Sequence, residues 1–355
     1  AHAHRRLSQL RAQDRDGARA RIERLREERA RVAPGSEHDI HFSHSLFDEL
    51  HDLREYDAAW PELERGMRAK RAALDYDVVD DLRLLEAIRA RCDAAFIDGP
   101  GHQPAAGVRP PVFIVGLFRS GSTVLERMLG GHPTLAEGGE SMGFAAALRL
   151  AADRRGRGLV DAGLLERLDT IDWPALGRGF LEANAWRARG RAGWTEKLPT
   201  NSLLLGFIAR ALPGARFIHT WRAPMDVCFS NLRMLYGGSA RWSYDQRELA
   251  AWHQGHAALM AHWREALGPR LLDVGHDDLD LLEGGGRNGR RHDEREPFVG
   301  RGAGFPNPSA LVCSGARNRA DGRSRSVLHA SVGTANPPPD DAVTETEETI
   351  QKIGD

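Results

Sequence analysis

The loop Gly116-Leu117-Phe118-Arg119-Ser120-Gly121-Ser122-Thr123 holds the densest chemistry in the chain. Its two glycines permit a tight backbone path. The hydroxyls of Ser120, Ser122 and Thr123 are hydrogen-bond donors, and the Arg119 guanidinium matches paired phosphate or sulfate oxygens. The apolar run Val112-Phe113-Ile114-Val115 leads into the loop, and Thr123 to Leu129 reads as a helix. A strand, a Gly-rich turn and a helix N-terminus in that order make an anion site. The exposed backbone N–H groups and the positive end of the helix dipole both face the ligand.

The next residue type narrows the ligand. Gly116-x4-Gly121 has the spacing of a nucleotide-binding P-loop, but Ser122 stands where a Lys would reach the β- and γ-phosphates. This weighs against Mg-nucleotide hydrolysis or a kinase reaction, the first alternative reading. The absence of GxGxxG here weighs against a dinucleotide enzyme. Arg119 in a metal-free cradle suits a phosphosulfate.

Composition excludes other classes. The chain has 355 residues, and its 49 basic and 50 acidic side chains nearly cancel, so no bulk nucleic-acid binder is expected. Cys92, Cys228 and Cys313 stand far apart, without the paired spacing of a disulfide framework or thiolate metal site. His253, His256 and His262 do not share one helix face, so no metal is expected. No apolar run reaches the roughly 18 residues of a membrane span. The first 33 residues lack an apolar signal core, and the reading is a reducing, cytoplasmic protein.

The positioning elements follow from periodicity. Leu46, Phe47, Leu50 and Leu53, then Tyr56, Ala59, Trp60, Leu63 and Met67, mark two successive helices. The stretch DGPGHQPAAGVRPP (98–111) reads as a linker. Strands are expected at Val112–Val115, at a segment ending near Trp194-Thr195, at Ala215–Trp221 and at Arg270–Val274, with helices between them. That alternation predicts a P-loop-like α/β domain of three layers around a parallel sheet. The expected organisation is a helical region over 1–100, the α/β domain over 101–282, and a divergent, disordered tail over 283–355.

PVFIVGLFRSGSTVLERMLGGHP resembles the 5′-phosphosulfate loop of sulfotransferases that use 3′-phosphoadenosine 5′-phosphosulfate. It looks most like the branch of tyrosylprotein sulfotransferases and bacterial proteins with N-terminal tetratricopeptide repeats, which fits the paired helices. ARFIHTWRAPMDVCFSNL resembles the family's 3′-phosphate site, with Arg222 at a strand end and Ser230 eight residues on. The resemblance implies that Arg119, Ser120, Gly121, Ser122, Thr123, Arg222 and Ser230 bind the donor as co-substrate. It places Glu140 (in HPTLAEGGE) where the branch carries a general base, with Glu137 left open as an alternative. It places Lys197 (in WTEKLPTN) where the family has a Lys at the bridging oxygen of the donor. Sulfuryl transfer needs both roles, a base for the acceptor proton and a cation for charge on the leaving phosphate. The implied partner is a hydroxyl- or amine-bearing acceptor, a peptide or a small molecule, with a protein partner at the N-terminal helices. His219 reads as a packed strand residue, and Asp277-Asp278-Leu279 as structural. The resemblance ends near Glu283, where composition shifts abruptly. A non-catalytic interaction protein with a degenerate domain is therefore the second alternative.

Overall fold

The computed structural model describes residues 1–9, 14–104, 109–156 and 158–283. From 284 onward the expected tail lies outside the described residues.

Val112–Gly116 (β1) is buried at every position, as its unbroken apolar run requires of a strand covered on both faces. Among the described residues it is the centre of a five-stranded sheet with Leu135–Glu137 (β2), Gly193–Lys197 (β3), Arg216–Trp221 (β4) and Leu271–Gly275 (β5). The order is β2-β3-β1-β4-β5 and every pairing is parallel. β2 was not expected. It has three residues, too few to show a period.

Side-chain alternation sorts the core into two layers. On one face Val112 and Ile114 join Ile218, Val274 and Leu135 beneath Leu125 and Leu129 of the helix Ser122–Gly130, with Leu279 beside them. On the other, Phe113 stacks on Phe217 (5.7 Å) and on Phe180 (6.2 Å) of the helix Trp173–Asn184, and Phe180 meets Phe144 edge-on at 5.4 Å. Helix, sheet, helix is the three-layer α/β arrangement.

β1 lies between β3 and β4, the strands that carry the other candidate motifs. The registers Ile114↔Lys197 and Gly116↔Thr220 put the carboxyl ends of the three strands on one edge, with β3 stopping two residues short of β1. Ligands of open parallel sheets bind at that edge, where successive connections leave in opposite directions. Here the chain leaves β1 toward β2 and β3, then crosses back to β4.

The packing divides into two units. One holds residues 1–78 with 228–252, and the other holds 79–227 and resumes at 253. The second unit contains the whole sheet. The first is helical, with His2–Gln9, Arg15–Ala30, Glu37–Asp52 and Tyr56–Ala72. Asp14 and Ser36 cap two of these helices by accepting from the N–H groups of Gly17 and Asp39. Ile22, Leu25, Leu46, Phe47, Leu50 and Leu63 are its buried centre, and Arg15–Ala30 packs through Ile22 and Leu25. Charge is buried beside it. Arg5 and Arg233 flank Asp48, and Arg21 pairs with Glu49. No helix among the described residues is long and apolar enough to cross a membrane.

Candidate active site

The Gly-rich loop leaves β1 on a backbone that side chains resist. Gly116 has φ +154°, and a Cβ there would lie 2.4 Å from the Thr220 carbonyl oxygen. Arg119 (φ +72°) and Gly121 (φ +102°) are also left-handed. Positive-φ positions of this kind build anion nests, although the Ser120 N–H here is donated to the Leu117 carbonyl (3.3 Å). Gly121 precedes the helix Ser122–Gly130, whose first N–H groups have no acceptor within the helix. Arg119 is exposed, as is Thr123, while Ser122 is buried.

Ser120 is turned inward. It is 1% exposed, donates its hydroxyl to the Leu117 carbonyl (2.7 Å) and lies 2.7 Å from the Thr220 hydroxyl. Its side chain braces the loop against β4.

β3 carries Lys197 at its last position, nearly buried, with Nζ 2.5 Å from Oε1 of the exposed Glu140. Glu140 follows two glycines that lie along the end of β3. A Cβ on Gly138 would meet the Thr195 carbonyl oxygen at 2.0 Å, and Gly139 has φ +71°. The backbone N–H of Lys197 donates to the Gly139 carbonyl (3.1 Å), and Arg187 donates to the Gly138 carbonyl (2.6 Å). Glu137 lies elsewhere. A Cβ on Gly130 would sit 2.3 Å from its Cγ, so its side chain rests at the far end of the helix Ser122–Gly130, away from the Gly-rich loop. Sequence spacing left these two carboxylates open; the fold puts Glu137 beside Gly130 and Glu140 beside Lys197.

Arg222 follows β4 directly, half-buried, with Nε 3.7 Å from an Asp226 carboxylate oxygen. Ser230 lies on the next helix, Pro224–Leu232, in the stretch of chain that packs with the first unit.

Three groups near the site escaped the sequence reading. Glu126 is buried in the helix that begins at the loop, and its Oε1 accepts from the Thr195 hydroxyl (2.8 Å) and the Gly139 N–H (2.9 Å). Thr220 braces Ser120. His276 begins the helix His276–Glu283, and a Cβ on Gly121 would lie 2.6 Å from its Nδ1. The acidic segment is structural as expected, with Asp278 accepting from the Gly275 N–H (3.0 Å) and Leu279 in the core.

Glu196 is the buried acid of β3. It pairs in register with Phe113 and so faces the aromatic layer, where burial pushes its carboxyl up to about 7 against the pull of Arg187 and Asn201. His219 is a packed strand residue, bonded through Nδ1 to Asp273 (2.6 Å). Burial alone would raise the Asp273 carboxyl. The bonds from His219 and Arg264 outweigh it and hold the group at about 2. His256 meets the Ser202 hydroxyl (3.1 Å) and His262 the Cys92 carbonyl (2.8 Å), so both serve packing.

The model of the sulfotransferase family matches residues 110–281, which span the described sheet and the candidate loop. Among curated proteins, an uncharacterized protein of Aquifex aeolicus (strain VF5) is 22% identical over 248 residues, covering 65% of this chain and 31% of the relative. The chain thus spans about a third of the length of that relative. Among solved structures, sulfotransferase STF9 from Mycobacterium avium aligns over 76% of this chain and 81% of its own, at 14% identity and TM-score 0.29. Sulfotransferase STF1 from Mycobacterium tuberculosis H37Rv aligns over 76% and 86%, at 14% identity and TM-score 0.28. These superpositions are too loose to place individual residues.

Proposed function

We propose that the α/β unit transfers a sulfuryl group from 3′-phosphoadenosine 5′-phosphosulfate to a hydroxyl or amine acceptor. The observation that carries this reading is the Lys197–Glu140 pair at the end of β3, one strand from the Gly-rich loop. A cation and a carboxylate side by side at an anion cradle fit the two needs of group transfer between oxygens. The backbone N–H groups of Gly121, Ser122 and Thr123 and the Arg119 guanidinium suit the 5′-phosphosulfate. Arg222, at the end of the strand on the other side of β1, suits the 3′-phosphate, and the sequence pairs it with Ser230.

In this mechanism an acceptor oxygen forms a bond to sulfur while the bond from sulfur to the phosphate oxygen breaks. The acceptor proton passes to a Glu140 carboxylate oxygen. Negative charge gathers on the departing phosphate beside the Lys197 ammonium, whose nearly buried position strengthens the attraction. Ser120 maintains the cradle from within. Ser122 in the place of a P-loop Lys accords with a donor bound without a metal.

Titration calorimetry with adenosine 3′,5′-bisphosphate tests the reading. Saturable binding is expected, weakened at least tenfold by Arg222→Ala, equivalent to about 1.4 kcal/mol. No heat of binding at millimolar nucleotide would overturn it.

A further inference from the structure

The geometry assigns Glu126 a positioning role that goes beyond the proposed reaction and rests on it: Glu126 ties the helix that begins at the Gly-rich loop to the glycine turn that carries Glu140. One carboxylate oxygen serves two elements. Glu126 Oε1 accepts from the Gly139 N–H at 2.9 Å and from the Thr195 hydroxyl at 2.8 Å. Thr195 Oγ1 in turn lies 3.3 Å from the Gly138 N–H, which donates to it. The next residue after Gly139 is the candidate base.

This arrangement has a cost that points away from simple filling of space. Glu126 is 5% exposed, beside Leu125 in a helix whose other buried residues are Ser122 and Leu129. A buried carboxylate is retained only where its oxygens are hydrogen-bonded. A leucine at this position would pack against the same core but leave the Gly139 N–H and the Thr195 hydroxyl without acceptors. The bonds also have a direction. The helix N-terminus faces the anion, and Glu126 lies one turn along the same rigid helix. The element that senses the donor's phosphate is therefore the one that fixes the turn before Glu140. Lys197 completes the frame from β3, through its backbone N–H to the Gly139 carbonyl and its Nζ to the Glu140 carboxylate.

The test compares Glu126→Gln, whose amide oxygen still accepts both bonds, with Glu126→Ala, which accepts neither. Three readouts are taken: affinity for adenosine 3′,5′-bisphosphate, kcat with an acceptor, and amide hydrogen exchange at Gly139. For Glu126→Ala, we expect nucleotide affinity within about threefold of wild type, kcat down at least 30-fold, and Gly139 exchange at least tenfold faster. Glu126→Gln should restore all three to within about threefold. Unchanged Gly139 exchange in Glu126→Ala would overturn the anchor. Parallel losses of affinity and kcat in both variants would overturn the positioning role in favour of a merely structural one. If wild-type protein binds no nucleotide, the proposed reaction fails, while the exchange measurement still decides whether Glu126 holds the turn.

Discussion

At the scale of single residues, the site separates holding from reacting. Ser120 and Thr220 spend their hydroxyls on each other and on backbone carbonyls, so they shape the cradle from inside. Glu140 and Lys197 are the pair with unlike exposure, the acid open to an acceptor and the amine nearly buried beneath it. That contrast predicts different kinetic signatures. Glu140→Gln keeps the shape of the turn and loses the proton acceptor. Its kcat should fall by about 10² to 10⁴, the usual worth of a general base, with nucleotide affinity unchanged. Lys197→Met should lower kcat as well, and also weaken nucleotide binding, because the ammonium meets the donor before and after transfer. Steady-state rates together with calorimetry on both variants check this. Equal kcat in wild type and Glu140→Gln would move the base elsewhere.

At the scale of elements, the glycine turn after β2 is tightly confined. The space left at Gly138 has no room for a methyl group, since the obstructing atom is the Thr195 backbone carbonyl rather than a mobile side chain. Gly138→Ala should push the turn off β3, carrying Glu140 away from Lys197. A loss of kcat of at least 30-fold is expected, with a melting temperature lowered by only a few degrees, because strain of this kind costs about 1–3 kcal/mol. Rate measurements and thermal melts on the same sample check both.

Legibility in the sequence followed chemistry at this same scale. β1, β4 and β5 announce themselves as apolar runs between Pro and Gly boundaries. β3 does so weakly, because its Thr195 and Lys197 face a polar network and its Glu196 is a buried acid. β2 is too short to show a period. The Gly-rich loop was readable because its spacing is local. The grip of Glu126 on Gly139 was not, because a Glu inside an amphipathic helix reads as a solvent-facing residue until the chain returns 13 positions later. The separate places of Glu137 and Glu140 likewise needed the third dimension.

At the scale of the whole molecule, the two units bury titratable groups of different kinds, so their stabilities should respond differently to pH. In the first unit, burial pushes His44 down to about 3 and His41 to about 4, the latter aided by His2 and Arg5. A depressed histidine stays neutral in the fold while the unfolded chain takes up a proton below about 6.5. Stability is therefore present above that pH and lost as pH falls toward the folded values. Asp48, raised by burial against Arg5 and Arg233, opposes this only toward the acidic end.

In the second unit His253 and His256 act in the same sense, since burial lowers both, His256 well below its ordinary value. Glu196 acts in the opposite one. Its carboxyl is raised from 4.5 to about 7, so the fold favours the protonated form, and stability present below 4.5 is lost as pH rises through 7. That loss reaches at most about 3.5 kcal/mol, at about 1.4 kcal/mol per pH unit. Below about pH 6.5 Glu196 opposes these histidines, so the second unit should gain less stability with rising pH than the first, whose own gain levels off above that pH. Chains of two units need not unfold in one step, so each is followed separately by hydrogen exchange of its own core amides. Protection near Leu46 should rise from pH 5 to about 7, after correction for intrinsic exchange rates, and protection near Ile114 should rise less. Glu196→Gln removes the opposing group. In that variant protection near Ile114 should rise more steeply with pH, exposing the histidine contribution. An unchanged slope in the variant would show that Glu196 is not the opposing group.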